Sequence, residues 1–332
     1  MTTVAVLGAG GWGTVLADLL ARKGCTVQLW AFEPDVARGI STRHENETFL
    51  PGIALHPSLT ATNDLRAAVR GADVICCATP SHVARTVLAE IAPHVADGTP
   101  LVSATKGIET DTLMLMGDVS ATTIPHATFV ALSGPSFAEE VQAGQPTAVV
   151  AASQDARVAA EIQQLFATRT FRVYSSDDVT GVTLGGSLKN AIAIAAGILD
   201  GLGMGNNPRA ALLTRALAEI ARLGEALGAR PATFAGLAGM GDLLLTCTGA
   251  LSRNRQLGIA LAGGTSLDTY RGTHRTVVEG VNTALAATRL AQRHCVDLPI
   301  IGQVSAVLFD GVSPRDSIQL LMERTLKAEQ WG

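Results

Sequence analysis

Residues Val4–Thr14 read VAVLGAGGWGT, and this stretch decides the fold. The apolar run Val4–Leu7 predicts a strand, and Trp12–Lys23 has a helical pattern. Between them Gly8, Gly10 and Gly13 stand in the spacing G-x-G-x-x-G. In such a strand-to-helix turn Gly8 permits the tight bend and Gly10 lets backbone approach a pyrophosphate. Gly13 lets the helix pack close on the sheet, and the helix N-terminus offers free N–H groups and partial positive charge. The stretch therefore predicts a dinucleotide site rather than a merely structural turn.

Working outward, further strands are predicted at Thr26–Trp30, Asp73–Cys77, Leu101–Ala104, Thr128–Leu132 and Ala148–Ala151. Helical patterns lie between most of them, for example at Val83–Ile91 and Arg157–Phe166. Continuous apolar strands alternating with helices imply a doubly wound, mostly parallel sheet. From about Asp178 the strand-like runs stop. NPRAALLTRALAEIARLGEALG predicts a helix with Asn207 as N-cap, Pro208 at its first position and Gly228 as its stop. Its apolar stripe is Leu213, Leu217, Ile220, Leu223 (or Gly224) and Leu227, with Arg215, Glu219 and Arg222 away from it. More helices are predicted at Val281–His294 and Ser317–Leu326. The expected architecture is α/β: a Rossmann-like doubly wound N-terminal domain over residues 1–180 and an all-α C-terminal domain over 181–332.

Composition narrows the function classes. The chain has 332 residues, is 47% hydrophobic and 16% charged, and has a formal net charge of -4. No basic excess exists to hold a phosphate backbone, so no nucleic-acid partner is expected. Cys25, Cys76, Cys77, Cys247 and Cys295 form neither a CxxC pair nor a zinc-ligand spacing, which suits a reducing cytoplasm and no metal. A strand so near the first residue leaves no room for a signal peptide. The longest apolar runs, such as NAIAIAAGILDGLG, read as too short and interrupted to span a bilayer.

Polar groups beside glycines mark the candidate site. Glu33 ends the second strand, where an acid accepts from the adenosine ribose and would repel a 2′-phosphate. This favours NAD, with NADP as the second option. SATKGIE puts Lys106 just after a strand, at the sheet's carboxyl edge. LSGPSFAEE places Gly134 and Ser136 likewise, with a helix expected to start at Ser136. GGSLKNAIAI sets Lys189 and Asn190 at the head of an apolar run, where Gly185 and Gly186 would let ligands come close. GLAGMGDLLLTCTGALSRNRQ gathers Asp242, Thr246, Ser252, Arg253, Asn254 and Arg255. An arginine with hydroxyl and amide neighbours suits a phosphate monoester. Asp242 reads equally as a helix cap, and Arg255 equally as a surface charge. His44, His56, His94, His126, His274 and His294 read as surface or loop residues, and His82 as structural.

Taken in order, GAGGWGT, PSHV, ATKGIE, SGPSFAEE, FRVYSSDD, GGSLKN, AGILDGLGMGNN, GLAGMGDLLLTCTG, SRNRQLG and VVEGVNT resemble the NAD(P)-dependent glycerol-3-phosphate dehydrogenases of bacteria. The resemblance runs from Val4 to about Leu321, and SLKN and GDLLLTC…SRNR are its most specific parts. It implies that Lys189 is the general acid/base toward the C2 oxygen of dihydroxyacetone phosphate while hydride moves from the nicotinamide. It implies Lys106 near the same oxygens, with Asp242 and Thr246 orienting Lys189 and the substrate. Arg253 and Asn254 would hold the phosphate, helped by Ser252 and the N–H groups of Gly134–Ser136, with Asn190 as a positioning group. Gly11, Trp12, Ala138, Val277 and Glu279 would line the cofactor, with Phe32, Lys106 and Arg253 also reaching it. Phe32 stands where bacterial members commonly carry a basic or polar residue, and the Phe32–Glu33 pair looks more like NAD-using eukaryotic enzymes. Gly11 stands where serine is usual. The implied role is glycerophospholipid biosynthesis, with no membrane span needed; the apolar helical half adds the expectation of a homodimer, and the cysteine usage that of a cytoplasmic protein. Two alternatives are a lysine-based 3-hydroxy acid dehydrogenase and a non-catalytic NAD-binding sensor.

Overall fold

The computed structural model describes residues 1–273, 276–326 and 328–329. His274 is outside them. The N-terminal part carries strands β1 (Thr3–Leu7), β2 (Thr26–Trp30), β3 (Glu45–Asn46), β4 (Leu50–Ala54), β5 (Thr60–Thr62), β6 (Val74–Cys77), β7 (Pro100–Ser103), β8 (Thr128–Ser133), β9 (Thr147–Ala152) and β10 (Phe171–Ser176). Eight of them form one sheet in the order β10-β9-β8-β7-β6-β1-β2-β5, while β3 and β4 form a separate antiparallel pair. Every pairing in the large sheet is parallel except β8 with β9. The sheet is thus Rossmann-like and doubly wound. The last two strands at one end of the sheet, β9 and β10, run opposite to the rest.

β1 sits between β2 and β6, so the strand order reverses there. A crevice opens beyond the carboxyl ends of strands at such a point. Apolar residues from both faces of β1 explain its place: Val4 and Val6 join one core cluster, Ala5 and Leu7 the other. The turn after β1 requires its glycines. Gly8 has φ +107°, and a Cβ there would stand 2.9 Å from the Ala78 carbonyl oxygen. A Cβ on Gly13 would fall 1.9 Å from the Gly8 oxygen, so only glycine brings the Gly11–Arg22 helix this close to the strand.

The C-terminal part is helical and built around one central helix, Val179–Gly201. Asp178 caps it, its carboxylate accepting from Gly181 N at 2.8 Å. The helix is 23 residues long without interruption and apolar enough to cross a membrane by composition. That corrects the reading of its apolar run as short and broken: Gly197 and Gly201 lie inside the helix because neighbouring backbone comes too close for a side chain. Its apolar window is entirely enclosed by protein. Helices Asp242–Thr248, Arg253–Ala262 and Glu279–Arg293 pack along it.

Other expectations need correction. The next helix is Asn206–Ala226, capped at Gly205, so neither Asn207 nor Pro208 starts it. Gly228, at φ +83°, does follow its end. Glu219 is 2% exposed rather than on a solvent face. Its oxygens accept from Ile300 N at 2.8 Å and Ile301 N at 3.3 Å, supplying the N-terminal cap that the Pro299–Phe309 helix lacks. Burial raises the Glu219 carboxyl to about 7 against the pull of those two amides.

Candidate active site

Lys189 is not at the head of its helix but in the middle of it, 7% exposed. Lysine is rarely so buried without a partner, and here it has two. Its ammonium donates to Asp242 Oδ1 at 2.7 Å and to Thr246 Oγ at 2.7 Å. Asp242 and Thr246 lie one turn apart in Asp242–Thr248, and so share a face toward the central helix. Asp242 is the first residue of that helix, yet its carboxylate does not cap it. Oδ2 instead accepts from Lys106 Nζ at 2.7 Å. One buried carboxylate therefore holds two ammonium groups from opposite halves of the chain.

Lys106 follows β7, and its ammonium also donates to the Gly134 carbonyl at 3.0 Å, beyond the end of β8. Gly134 has φ +147°, and a Cβ on it would strike Val149 Cα at 2.8 Å. The expected helix start at Ser136 is not found. The helix is Ala138–Gln142, and Ser136 Oγ donates to the Gly134 oxygen at 2.9 Å. Nor do Gly185 and Gly186 open space for ligands. A Cβ on Gly185 would meet the Ala238 oxygen at 2.5 Å and one on Gly186 would meet Ser133 Oγ at 2.3 Å. These glycines bring the protein's own backbone and side chains against the lysine helix.

The charges set one another. Burial pushes the Lys189 ammonium down, Asp242 pulls it back up, Lys106 pushes it down again, and it settles at about 8. Burial would raise the Asp242 carboxyl, but Lys106 and Lys189 outweigh it and hold the group below its ordinary value. The Cys247 thiol is pushed up by burial and stays neutral beside them. The arrangement can give or take a proton near neutral pH at a water-poor position.

A chain of amides adjoins the lysines. Asn190 Nδ2 donates to the Lys106 carbonyl at 3.1 Å, Asn254 Nδ2 donates to Asn190 Oδ1 at 3.0 Å, and Gly280 N donates to Asn254 Oδ1 at 2.9 Å. Asn254 is thereby held by protein contacts on both ends of its amide. Ser252 caps the Arg253–Ala262 helix, donating nothing to it but accepting from Arg255 N at 3.3 Å, and Arg253 is exposed at that helix start. Arg255 is not a free surface charge. Its Nε donates to Asp200 Oδ2 at 2.6 Å, and Arg209 bonds the other oxygen.

At the cofactor end, Gly10 is the N-cap of its helix and a Cβ there would touch nothing within 4 Å. That open approach to free helix N–H groups fits a pyrophosphate. Gly11 is different: a Cβ would stand 2.9 Å from the Phe49 oxygen, so this chain's loop sits where a serine side chain would begin. Phe32 is 76% exposed beside Trp30, and Glu33 is exposed just after it. Both are at the carboxyl end of β2, as a dinucleotide site requires. Trp12 packs on Phe171 with its Nε1 buried and unpartnered, and Ala138 lies 3.8 Å from where a Gly11 Cβ would be. Val277 and His82 line a cavity of about 290 Å³ with Tyr270 and Asn282. Glu279 bonds Ser81 rather than standing free. Ser81 lies in the PSHV stretch but has no role in the sequence reading, since a lone serine before a helical pattern gives no sign of a partner 198 residues away.

Comparisons with known proteins follow the same geography. A profile described as "NAD-dependent glycerol-3-phosphate dehydrogenase N-terminus" matches residues 3–159. The corresponding C-terminus profile matches residues 178–319. A glycerol-3-phosphate dehydrogenase (NAD(P)+) of Geobacter sulfurreducens is 54% identical over 331 residues, covering 99% of each chain. A crystal structure of glycerol-3-phosphate dehydrogenase from Coxiella burnetii superposes with a TM-score of 0.94 at 39% identity, covering 97% of this chain and 99% of that one. The enzyme of Saccharomyces cerevisiae superposes with a TM-score of 0.82 at 28% identity, again over 97% of this chain and 99% of that one.

Proposed function

Because the chain belongs to the NAD-dependent glycerol-3-phosphate dehydrogenase family, we propose that it is an oxidoreductase interconverting dihydroxyacetone phosphate and sn-glycerol 3-phosphate. The full-length match to that family leaves the hydroxy-acid and sensor alternatives without support. A nicotinamide cofactor held at this site would supply or take the hydride at C2. Lys189 gives a proton to the C2 oxygen in reduction and removes the hydroxyl proton in oxidation. Asp242 and Thr246 fix the ammonium's direction, and Lys106 brings a second positive charge to the oxygen as negative charge develops on it. Exposed Arg253, with Ser252, Gly134 and Ser136, takes the phosphate. Asn190 and Asn254 hold the Lys106 backbone beside it. Gly8, Gly10, Gly11, Trp12, Gly13, Phe32, Glu33, Ala138, Val277 and Glu279 border the cofactor. Glu33 makes NAD the preferred form over NADP.

The observation that carries this reading is the single buried carboxylate bridging two lysines across the seam between sheet and helices. We divide the chain at that seam, residues 1–180 for cofactor and 181–332 for substrate and catalysis. We further propose that the product serves glycerophospholipid biosynthesis, and that the enzyme works in the cytoplasm as a homodimer. The test is purified protein with dihydroxyacetone phosphate, run in parallel with NADH and NADPH. Turnover is expected with both, and faster with NADH. Lys189→Ala should lose about 10²–10⁴-fold in kcat while still binding cofactor. No reduced-cofactor oxidation with this substrate, or full activity in Lys189→Ala, overturns the assignment.

A further inference from the structure

The Lys106 loop is gripped from two sides, and in one grip Ser81 has no part in the chemistry above. Ser81 is the first residue of the Ser81–Ile91 helix, beyond the carboxyl end of β6, and it is 1% exposed. Its N donates to Glu279 Oε1 at 2.9 Å and its Oγ donates to Glu279 Oε2 at 2.6 Å. A carboxylate suits a helix N-terminus, but Glu279 comes from the far half of the chain, as the first residue of Glu279–Arg293. Gly107 is wedged into this contact. A Cβ on it would fall 2.5 Å from Ser81 Oγ and 2.7 Å from Glu279 Oε2. On the opposite side the lysine helix takes hold: Ser187 Oγ donates to the Gly107 carbonyl at 3.1 Å and Asn190 Nδ2 to the Lys106 carbonyl at 3.1 Å.

We propose that Ser81 and Glu279 form a clasp across the two halves of the chain that positions Lys106 against Asp242 and Lys189, with Ser81 as a positioning residue. The inference rests on the catalytic reading of Lys106 and Lys189. If the clasp opens, Gly107 loses one wall, and the Lys106 loop is held only from the side of Ser187 and Asn190. A displacement of about 1 Å at a catalytic group can cost about 100-fold.

The test is Ser81→Ala, followed by the pH dependence of kcat for sn-glycerol 3-phosphate oxidation. kcat should fall about 10- to 100-fold while cofactor KM changes less. The groups facing Lys189 are Asp242, Lys106, Thr246 and neutral Cys247, and of these Lys106 pushes its proton affinity down. Loosening Lys106 therefore moves the midpoint of the profile to higher pH, which loss of packing alone would not do. Gly107→Ala, which forces the clasp apart from the other side, should move it the same way. If Ser81→Ala does not fold, Glu279→Gln keeps an acceptor for the Ser81 N–H and should give the same direction with a smaller loss. An unmoved midpoint, with or without a lost cofactor affinity, overturns the clasp. Should Lys189→Ala be inactive while Ser81→Ala keeps its rate and midpoint, the clasp fails alone. Should Lys189→Ala stay active, the catalytic reading fails with it.

Discussion

Asp242→Asn is the perturbation that best separates the forces at the site. Asp242 is 1% exposed and accepts from two ammonium groups at 2.7 Å each. Removing one member of a buried ion pair costs about 3–5 kcal/mol if the orphaned partner stays charged. Lys189 has a lower-energy route, because its pKa is already about 8. At pH 7 releasing that proton costs roughly 1–2 kcal/mol, since one pKa unit is about 1.4 kcal/mol. Lys106 is partly exposed and keeps the Gly134 carbonyl, so it adds little. The smaller cost decides, and the variant should lose roughly 1–2 kcal/mol at pH 7 in a urea titration. Its Lys189 should titrate below about 8 by about one unit or more, because the carboxylate that raised it is gone. The rate profiles then split by direction. Reduction needs the ammonium and should fall at pH 7, whereas oxidation needs the free amine and should become available at lower pH. A loss beyond about 4 kcal/mol, or a midpoint moved upward, refutes the reasoning.

Two further outcomes are expected. Glu219 is raised from 4.5 to about 7, so the folded state holds its proton more tightly than the unfolded chain. Its contribution is fully present below pH 4.5 and is lost as pH rises to about 7. Glu219→Gln should therefore gain roughly 3 kcal/mol on the native protein across that window in denaturant titrations, and a constant difference would contradict it. Glu33→Gln should raise kcat/KM for NADPH relative to NADH about fivefold, a change of about 1 kcal/mol in mostly aqueous surroundings. An unchanged ratio would mean that the ribose phosphate does not come near Glu33.

The parts of the fold legible in the sequence are those whose signals are local. β1, β6 and β7 are mostly apolar, buried runs, and the glycine turn carries its own steric reasons. β10 has no such run: Phe171 and Val173 face the core while Arg172 and Tyr174 are exposed, so it reads as a broken apolar segment. The reversed direction of β9 has no sequence mark at all, because a strand reads the same either way. Lys189 and Asp242 were visible as polar residues in apolar company. That they meet depends on two helices crossing over 53 residues of separation. Glu219 and Ser81 were invisible as partners for the same reason. Each looks like an ordinary polar side chain until a segment about 80 or 200 residues away supplies its bonds.

The central helix has a consequence for the order of events during synthesis. Val179–Gly201 leaves the ribosome before Asp242–Thr248, Arg253–Ala262 and Glu279–Arg293, the helices that will cover it. At about 5–20 residues per second, Arg293 follows Gly201 by roughly 5–20 s. During that interval a segment with mean hydropathy 1.5 has its counterpart surfaces still unmade. A lysine near the middle of such a helix adds about 2.5–3.5 kcal/mol to the cost of entering a bilayer. Lys189 thus serves the newborn chain as well as the finished site. It raises the cost of bilayer entry for the one long apolar helix among the described residues before its carboxylate has been made.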